Sequence, residues 1–119
     1  MIWGIYKKLA VWEKAHRLTL AVYRASGSFP KDELYGLMSQ IRRAAASIPT
    51  NIAEVSGRGG DRELVRFLHI ALGSANELEY QLLLAKDLGY LDAGIYQELD
   101  HQTLEIQRML AGLIHKLHA

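Results

Sequence analysis

From Leu34 to Val55 the apolar residues Leu34, Met38, Ile41, Ala45, Ile48, Ile52 and Val55 recur at alternating spacings of four and three. That is the period of a helix with one apolar seam. Three more stretches carry a helical stripe. Val11, Ala15, Leu18 and Val22 form the first, with Trp12 beside it. Leu64, Phe67, Leu68, Ala71, Ala75, Leu78, Leu82 and Ala85 form the third, and Ile95, Leu99, Ile106, Leu110, Leu113 and Leu117 the fourth. No window alternates apolar and polar long enough for a strand. The expected helices cover about 7–25, 33–57, 61–88 and 92–117. Their joints carry stop and start signals. Gly27 is expected to take a left-handed cap, Pro30 forbids continuation, and Asp32 can cap the second helix. Gly89 and Asp92 are expected to play the same two roles between the third and fourth helices. Four helices with short joints pack best as an antiparallel up-and-down four-helix bundle, so the expected fold is all-α with a single domain over residues 1–119.

Composition agrees with one core: the chain has 119 residues, of which 50% are apolar. Its net charge of +1 gives no global pull toward nucleic acid or an acidic membrane. The charge is uneven, however. Residues 1–30 carry Lys7, Lys8, Lys14, Arg17 and Arg24 against Glu13, whereas residues 91–119 carry four carboxylates against Arg108 and Lys116. With no cysteine there is no disulfide, thiolate metal site or cysteine nucleophile. The opening residues do not form a signal peptide, and no apolar run reaches the roughly 18 residues of a membrane span. These features lead to the expectation of a cytoplasmic protein without a membrane partner.

The stretch "IRRAAASIPTNIAEVSGRGGDRE" invites a phosphate-loop reading. A Walker loop needs a lysine and a Ser or Thr after its second glycine, and a strand before it; neither is present. Pro49 and the alanines before it read as architecture. The proline clashes with the Ala45 carbonyl and should kink the helix, and small side chains let a neighbour approach. Gly57 ends the second helix, Gly59 and Gly60 turn the chain, and Asp61 caps the third helix. The arginines Arg42, Arg43, Arg58, Arg62 and Arg66 are candidates for contacting nucleic-acid phosphates. They can equally form a solvated face or pair with Asp61 and Glu63. A polar stripe of Ser47, Asn51 and Glu54 lies off the core seam, and the third helix offers Arg66, Gly73 and Glu77 toward it. The third helix is also apolar beyond its stripe. Val65, Leu72 and Leu83 lie about 110° to one side, and Ile70, Leu84 and Leu88 lie on the opposite flank. These six are candidate subunit-interface residues, which makes a homo-oligomer the expected state.

A four-helix bundle also raises the possibility of a di-iron site, which takes Glu-x-x-His pairs from two helices and a glutamate from each of the others. Glu13 with His16 and Glu98 with His101 have the spacing, and Glu54 and Glu77 could complete the set. The direction is wrong, because Glu13 and His16 lie more than about 120° from their core stripe, and His101 about 145° from its own. The residues therefore point to no catalytic set, no metal and no cofactor. The expectation is a non-enzymatic homo-oligomeric helical scaffold; the alternative is a protein–protein interaction module with no nucleic-acid role.

The blocks "VWEKAHRLTLAVYRASGSFP", "GLMSQIRRAAASIPTNIAEVSGRG" and "FLHIALGSANELEYQLLLAKDLGYL" strongly resemble the bacterial 23S rRNA intervening-sequence protein family. The resemblance runs from about Leu9 to Leu117. It implies an antiparallel four-helix bundle assembled as a homopentamer. It also brings in a related protein, the accessory variability protein of diversity-generating retroelements, which binds nucleic acid and a reverse transcriptase. By resemblance Arg42 and Arg43 match the family's paired arginines, and Asn51, Glu54, Gly57 and Arg58 match the segment after its proline. Val55 stands where the family usually has glycine. RNA, DNA or a protein are thus the partners the resemblance implies.

Overall fold

The computed structural model describes residues 9–55 and 61–118, without the side chains of Val55 and Asp61. Its helices are α1 (Ala10–Ser26), α2 (Leu37–Val55), α3 (Asp61–Asp87) and α4 (Ala93–His118), with a single 3-10 turn at Lys31–Glu33. Each helix packs only on its neighbours in cyclic order, α1 on α2, α2 on α3, α3 on α4 and α4 on α1. Neighbours run antiparallel. Thr19 meets Ala45 while Ser26 meets Arg42, and Lys86 meets Tyr96 while Glu79 meets Gln107. This is the up-and-down four-helix bundle.

The stripes read from the sequence form the core. Val11, Ala15, Leu18, Val22, Ile41, Ala45, Ile48, Ile52, Ala71, Ala75, Leu78, Leu82, Ile106 and Leu110 are all buried. The ends of two stripes depart from expectation. Leu34 is 48% exposed because the chain is not yet helical there: the 3-10 turn occupies Lys31–Glu33 and α2 begins at Leu37 rather than at 33. Ile95, in the first turn of α4, is likewise exposed. Further along α4, Ile114 is buried where the expected stripe ran through Leu113, and Thr103 lies in the core between Leu99 and Ile106. The Thr103 hydroxyl donates to the Leu99 carbonyl at 2.7 Å, so burying it leaves no orphan.

The joints obey local chemistry, but not always the residue expected. Gly27 is not left-handed; its φ of −62° is ordinary helical backbone. The Arg24, Ala25 and Ser26 carbonyls are met by Gly27 N–H, Ser28 Oγ and Phe29 N–H, and the end of α1 is also met from α2. Arg42 donates from Nε to Ser26 Oγ at 2.8 Å and from Nη2 to the Tyr23 carbonyl at 3.0 Å. A cation at a helix C-terminus complements its dipole. Asp32 makes no capping bond. Glu33 does that work: its Oε1 accepts from the Leu37 N–H at 3.0 Å, and its Oε2 accepts from the Tyr90 hydroxyl at 2.9 Å. At the far joint both expectations hold. Gly89 has φ +84°, with Tyr90 N–H bonded to the Ala85 carbonyl and Gly89 N–H to the Lys86 carbonyl. That is a Schellman motif. Asp92 Oδ1 accepts from the Ile95 N–H at 2.8 Å. The Gly57, Gly59 and Gly60 turn and the Asp61 cap lie outside the described residues.

Glu33 therefore ties the joint before α2 to the joint after α3. The Leu37 N–H, first, and the Tyr90 hydroxyl, second, hold its carboxyl below the ordinary value of 4.5. A carboxylate depressed in the folded state stabilises the fold above its unfolded pKa, and that stability is lost as pH falls through the folded pKa. Lowering the pH from neutral through the carboxylate range should thus depress the thermal midpoint. Glu33→Gln should flatten part of that decline. Parallel profiles for parent and variant would show that the Glu33 contacts contribute nothing.

Helix α2 passes through Pro49 without a break. Pro49 has no N–H for the Ala45 carbonyl. The Thr19 hydroxyl of α1 lies 3.0 Å from that carbonyl and 2.8 Å from the Ala15 carbonyl, sharing its one proton between them. Thr19→Val keeps the shape and removes the donor, so it should cost about 1–2 kcal/mol in urea denaturation. The cost should shrink in a Pro49→Ala background, where the helix regains its own N–H. An equal cost in both backgrounds would disconnect Thr19 from the proline.

Candidate functional site

The contact between α2 and α3 is built from small and polar side chains. Ser47 Oγ lies 2.8 Å from Ser74 Oγ, and Asn51 Nδ2 donates to the Ser47 carbonyl at 2.8 Å and to its Oγ at 3.0 Å. Ser74, which the sequence reading missed, occupies the position expected of Gly73; an added Cβ on Gly73 would face open space. A wheel centred one residue further along would have found it. Glu54 and Glu77 are exposed at the outer edge of this stripe. Gln81, one turn beyond Glu77, is only 5% exposed, and its amide nitrogen reaches Glu77 at 3.4 Å. These groups bond to one another, except that Gln81 Oε1 is buried without a hydrogen-bond partner, and they contain no nucleophile poised on a base.

The pairing of Ser47 with Ser74 fixes the level of every arginine. Arg42 and Arg43 precede Ser47 on α2, whereas Arg62 and Arg66 precede Ser74 on the antiparallel α3. At 1.5 Å per residue the two pairs sit about 18–25 Å apart along the bundle axis. These four arginines therefore form two separate groups rather than one face. They also differ in freedom. Arg42 is held by Ser26 and the Tyr23 carbonyl, with its guanidinium 4.8 Å from the Tyr23 ring centroid. It clamps α2 to α1 through two of its five N–H donors. Arg66 pairs with Glu63 at 3.3 Å and lies over the Phe67 ring. Arg43 and Arg62 project from the surface. Arg58 lies outside the described residues.

The two apolar flanks of α3 lie on opposite sides of the helix. Glu79, bonded to Gln107, marks the side toward α4, where Val65, Leu72 and Leu83 follow one another. Ser74 marks the side toward α2, where Ile70 and Leu84 lie; α3 ends at Asp87 rather than 88, and Leu88 follows on the same side in the turn just past it. Val65, Leu72 and Leu84 pack in part on the bundle's own core. Ile70, Leu83 and Leu88 extend these strips outward, 39%, 38% and 50% exposed.

Between α1 and α4 a groove of about 790 Å³ is lined by Glu13, Lys14, Arg17, Arg24, Glu98, His101 and Glu105 among others. It brings Glu13 and His101 to one surface, but as exposed side chains. Glu13 is bonded to Arg17 at 2.9 Å and Glu105 to Lys14 at 3.3 Å. Among the described residues no three His, Asp or Glu side chains converge as a metal site would need. Deeper in the α3–α4 contact, burial and then Glu79 push the Asp100 carboxyl above its usual range, against a smaller pull from His101. No helix among the described residues is long and apolar enough to cross a membrane.

At the end of the bundle formed by the α1–α2 joint, a surface cavity of about 480 Å³ opens between Tyr23, Leu34, Tyr35, Met38, Arg42 and Arg43. Tyr35 is 92% exposed. Two guanidinium groups border this cavity and no carboxylate does. Met38 is buried as its stripe predicts, whereas Leu34 is not, and the helical period singles out neither tyrosine. The signal was present, because "FPKDELYG" interrupts the helix just before Leu34.

These features sit on a fold that is already known. A crystal structure of a protein of unknown function from the S23 ribosomal protein family of Bacteroides thetaiotaomicron VPI-5482 superposes with a TM-score of 0.82 at 25% identity, over 88% of this chain and 98% of that one. No curated protein matches the chain. The family model described as 23S rRNA-intervening sequence protein matches residues 7–112, which takes in all of α1, α2 and α3 and most of α4, and the chain belongs to that family.

Proposed function

We propose that this protein is a non-enzymatic scaffold that assembles as a homo-oligomer and contacts RNA or a nucleoprotein through its arginine-bearing surface. The observation that carries the assembly is the pair of apolar strips on α3. A single strip would suit an isologous dimer, in which one patch meets its own copy. Two strips on opposite sides of one helix suit heterologous contacts, in which one side of a copy meets the other side of the next. Closing such contacts gives a ring, and five is the number the family resemblance implies. Isolated exposed leucines are common on protein surfaces. Ile70, Leu83 and Leu88 differ because each continues a strip already begun by a core-packed neighbour.

The arginines support the nucleic-acid part of this reading more narrowly than the sequence suggested. Arg42 is committed to the fold, which leaves Arg43 at one end of the bundle and Arg62 at the other as projecting cations. Light scattering of the purified full chain tests the assembly. The expected mass is a fixed multiple of 13.4 kDa at micromolar concentration. A mass of one chain would contradict it.

A further inference from the structure

We infer that the cavity between Tyr23, Tyr35 and Arg43 is a binding site for single-stranded nucleic acid, which holds an unpaired base against the tyrosines and a backbone phosphate against Arg43. The inference rests on the nucleic-acid part of the reading above and names its site. Three observations carry it. Tyr35 presents a nearly whole aromatic ring to solvent, at 92% exposure, beside an apolar floor of Leu34 and Met38. Tyr23 forms the other wall and is held in place, because Arg42 lies over its ring at 4.8 Å while bonded to Ser26 and to the Tyr23 carbonyl. Arg43 borders the same cavity and is exposed, so its guanidinium can turn to an anion. One fixed aromatic ring, a second ring open to solvent, an apolar floor and a cation with no bordering carboxylate match a base and its phosphate together.

The chemistry also selects among nucleic acids. A duplex hides its base faces and is held by several cations spaced along the backbone. This site offers ring faces and one mobile cation, the combination that single strands use. An acidic peptide would pair with Arg43 but would leave Tyr35 with nothing to stack on.

The test is fluorescence anisotropy with the full chain and short fluorescein-labelled oligouridylate, oligoadenylate, matched single-stranded DNA and duplex RNA, at low and near-physiological salt. Single strands are expected to bind more tightly than the duplex. Tyr35→Ala should weaken single-strand binding at least about fivefold, and Tyr35→Phe should retain it. Arg43→Ala should reduce the slope of log affinity against log salt by about 0.7. Tyr35 and Arg43 are both at the surface, so these variants should fold, which circular dichroism checks. Undiminished binding in Tyr35→Ala and Arg43→Ala, with loss in Arg62→Ala plus Arg66→Ala, would overturn the site and leave the nucleic-acid reading standing. Tighter binding of the duplex than of single strands would overturn it as well. No binding of any probe at low salt would overturn both. The assembly has its own mass measurement and is unaffected by either result.

Discussion

Leu78→Ala is expected to destabilise the folded chain by about 3–4 kcal/mol, toward the upper half of the range for buried leucine truncations. Leu78 is fully buried in the middle of α3, the helix that packs on both α2 and α4. Truncation removes the apolar burial and also leaves a cavity. The surrounding helices cannot easily close on it, because Ala71, Ala75 and Ala85 already bring the backbones close. Leu34→Ala makes the contrast. Leu34 has the same heptad spacing in the sequence but is half exposed at the edge of the 3-10 turn. Its truncation should cost less than about 1 kcal/mol. Urea denaturation of both variants, at equal protein concentration, checks the pair. Similar costs at the two positions would mean that Leu34 is packed and that α2 begins earlier than Leu37.

That contrast shows which parts of the fold were legible. Helical period places residues on a face, and over the middle of every helix the face was right: Ile41, Ile48, Leu78 and Ile106 are all buried. Period does not say where a helix starts. Leu34 and Ile95 continue their stripes arithmetically, but the 3-10 turn and the first turn of α4 leave them at the surface. Gly89 and Asp92 were legible because their roles are local, a positive φ and a side chain three residues from its N–H. Glu33 was not, because half of its role is a contact with Tyr90, 57 residues away. The hold of Arg42 on α1 was hidden for the same reason. In sequence Arg42 is half of an arginine pair, and only the antiparallel packing of α1 on α2 places Ser26 and the Tyr23 carbonyl within its reach. The two flanks of α3 were legible as surplus apolar residues. That Val65, Leu72 and Leu84 pack partly on their own core depended on how closely the neighbouring helices lie.

The second large effect concerns assembly. Leu88→Glu, in the turn just past α3 on its α2 side, and Leu83→Glu on the α4 side of α3 should each reduce the particle to a single chain at micromolar concentration. Either substitution would bury an unpaired carboxylate in an apolar contact, at a cost that exceeds what a subunit interface of ordinary size can absorb. Both positions are at the surface of the isolated bundle, at 50% and 38% exposure, so the fold itself should persist and far-ultraviolet circular dichroism should be unchanged. Leu20→Glu is the control. Leu20 is 41% exposed on α1, which does not pack on α3, and its variant should assemble as the parent does.

Mixing the two monomeric variants tests the heterologous arrangement most directly. If one side of α3 meets the other side in the next copy, Leu88→Glu still carries an intact α4-side strip and Leu83→Glu an intact α2-side strip. One good interface can then form between them and none beyond it. Native mass spectrometry of the mixture should show a heterodimer of one copy of each variant, absent from either variant alone. A mixture that stays monomeric, or either variant that assembles fully by itself, would contradict a scaffold joined through the two flanks of α3.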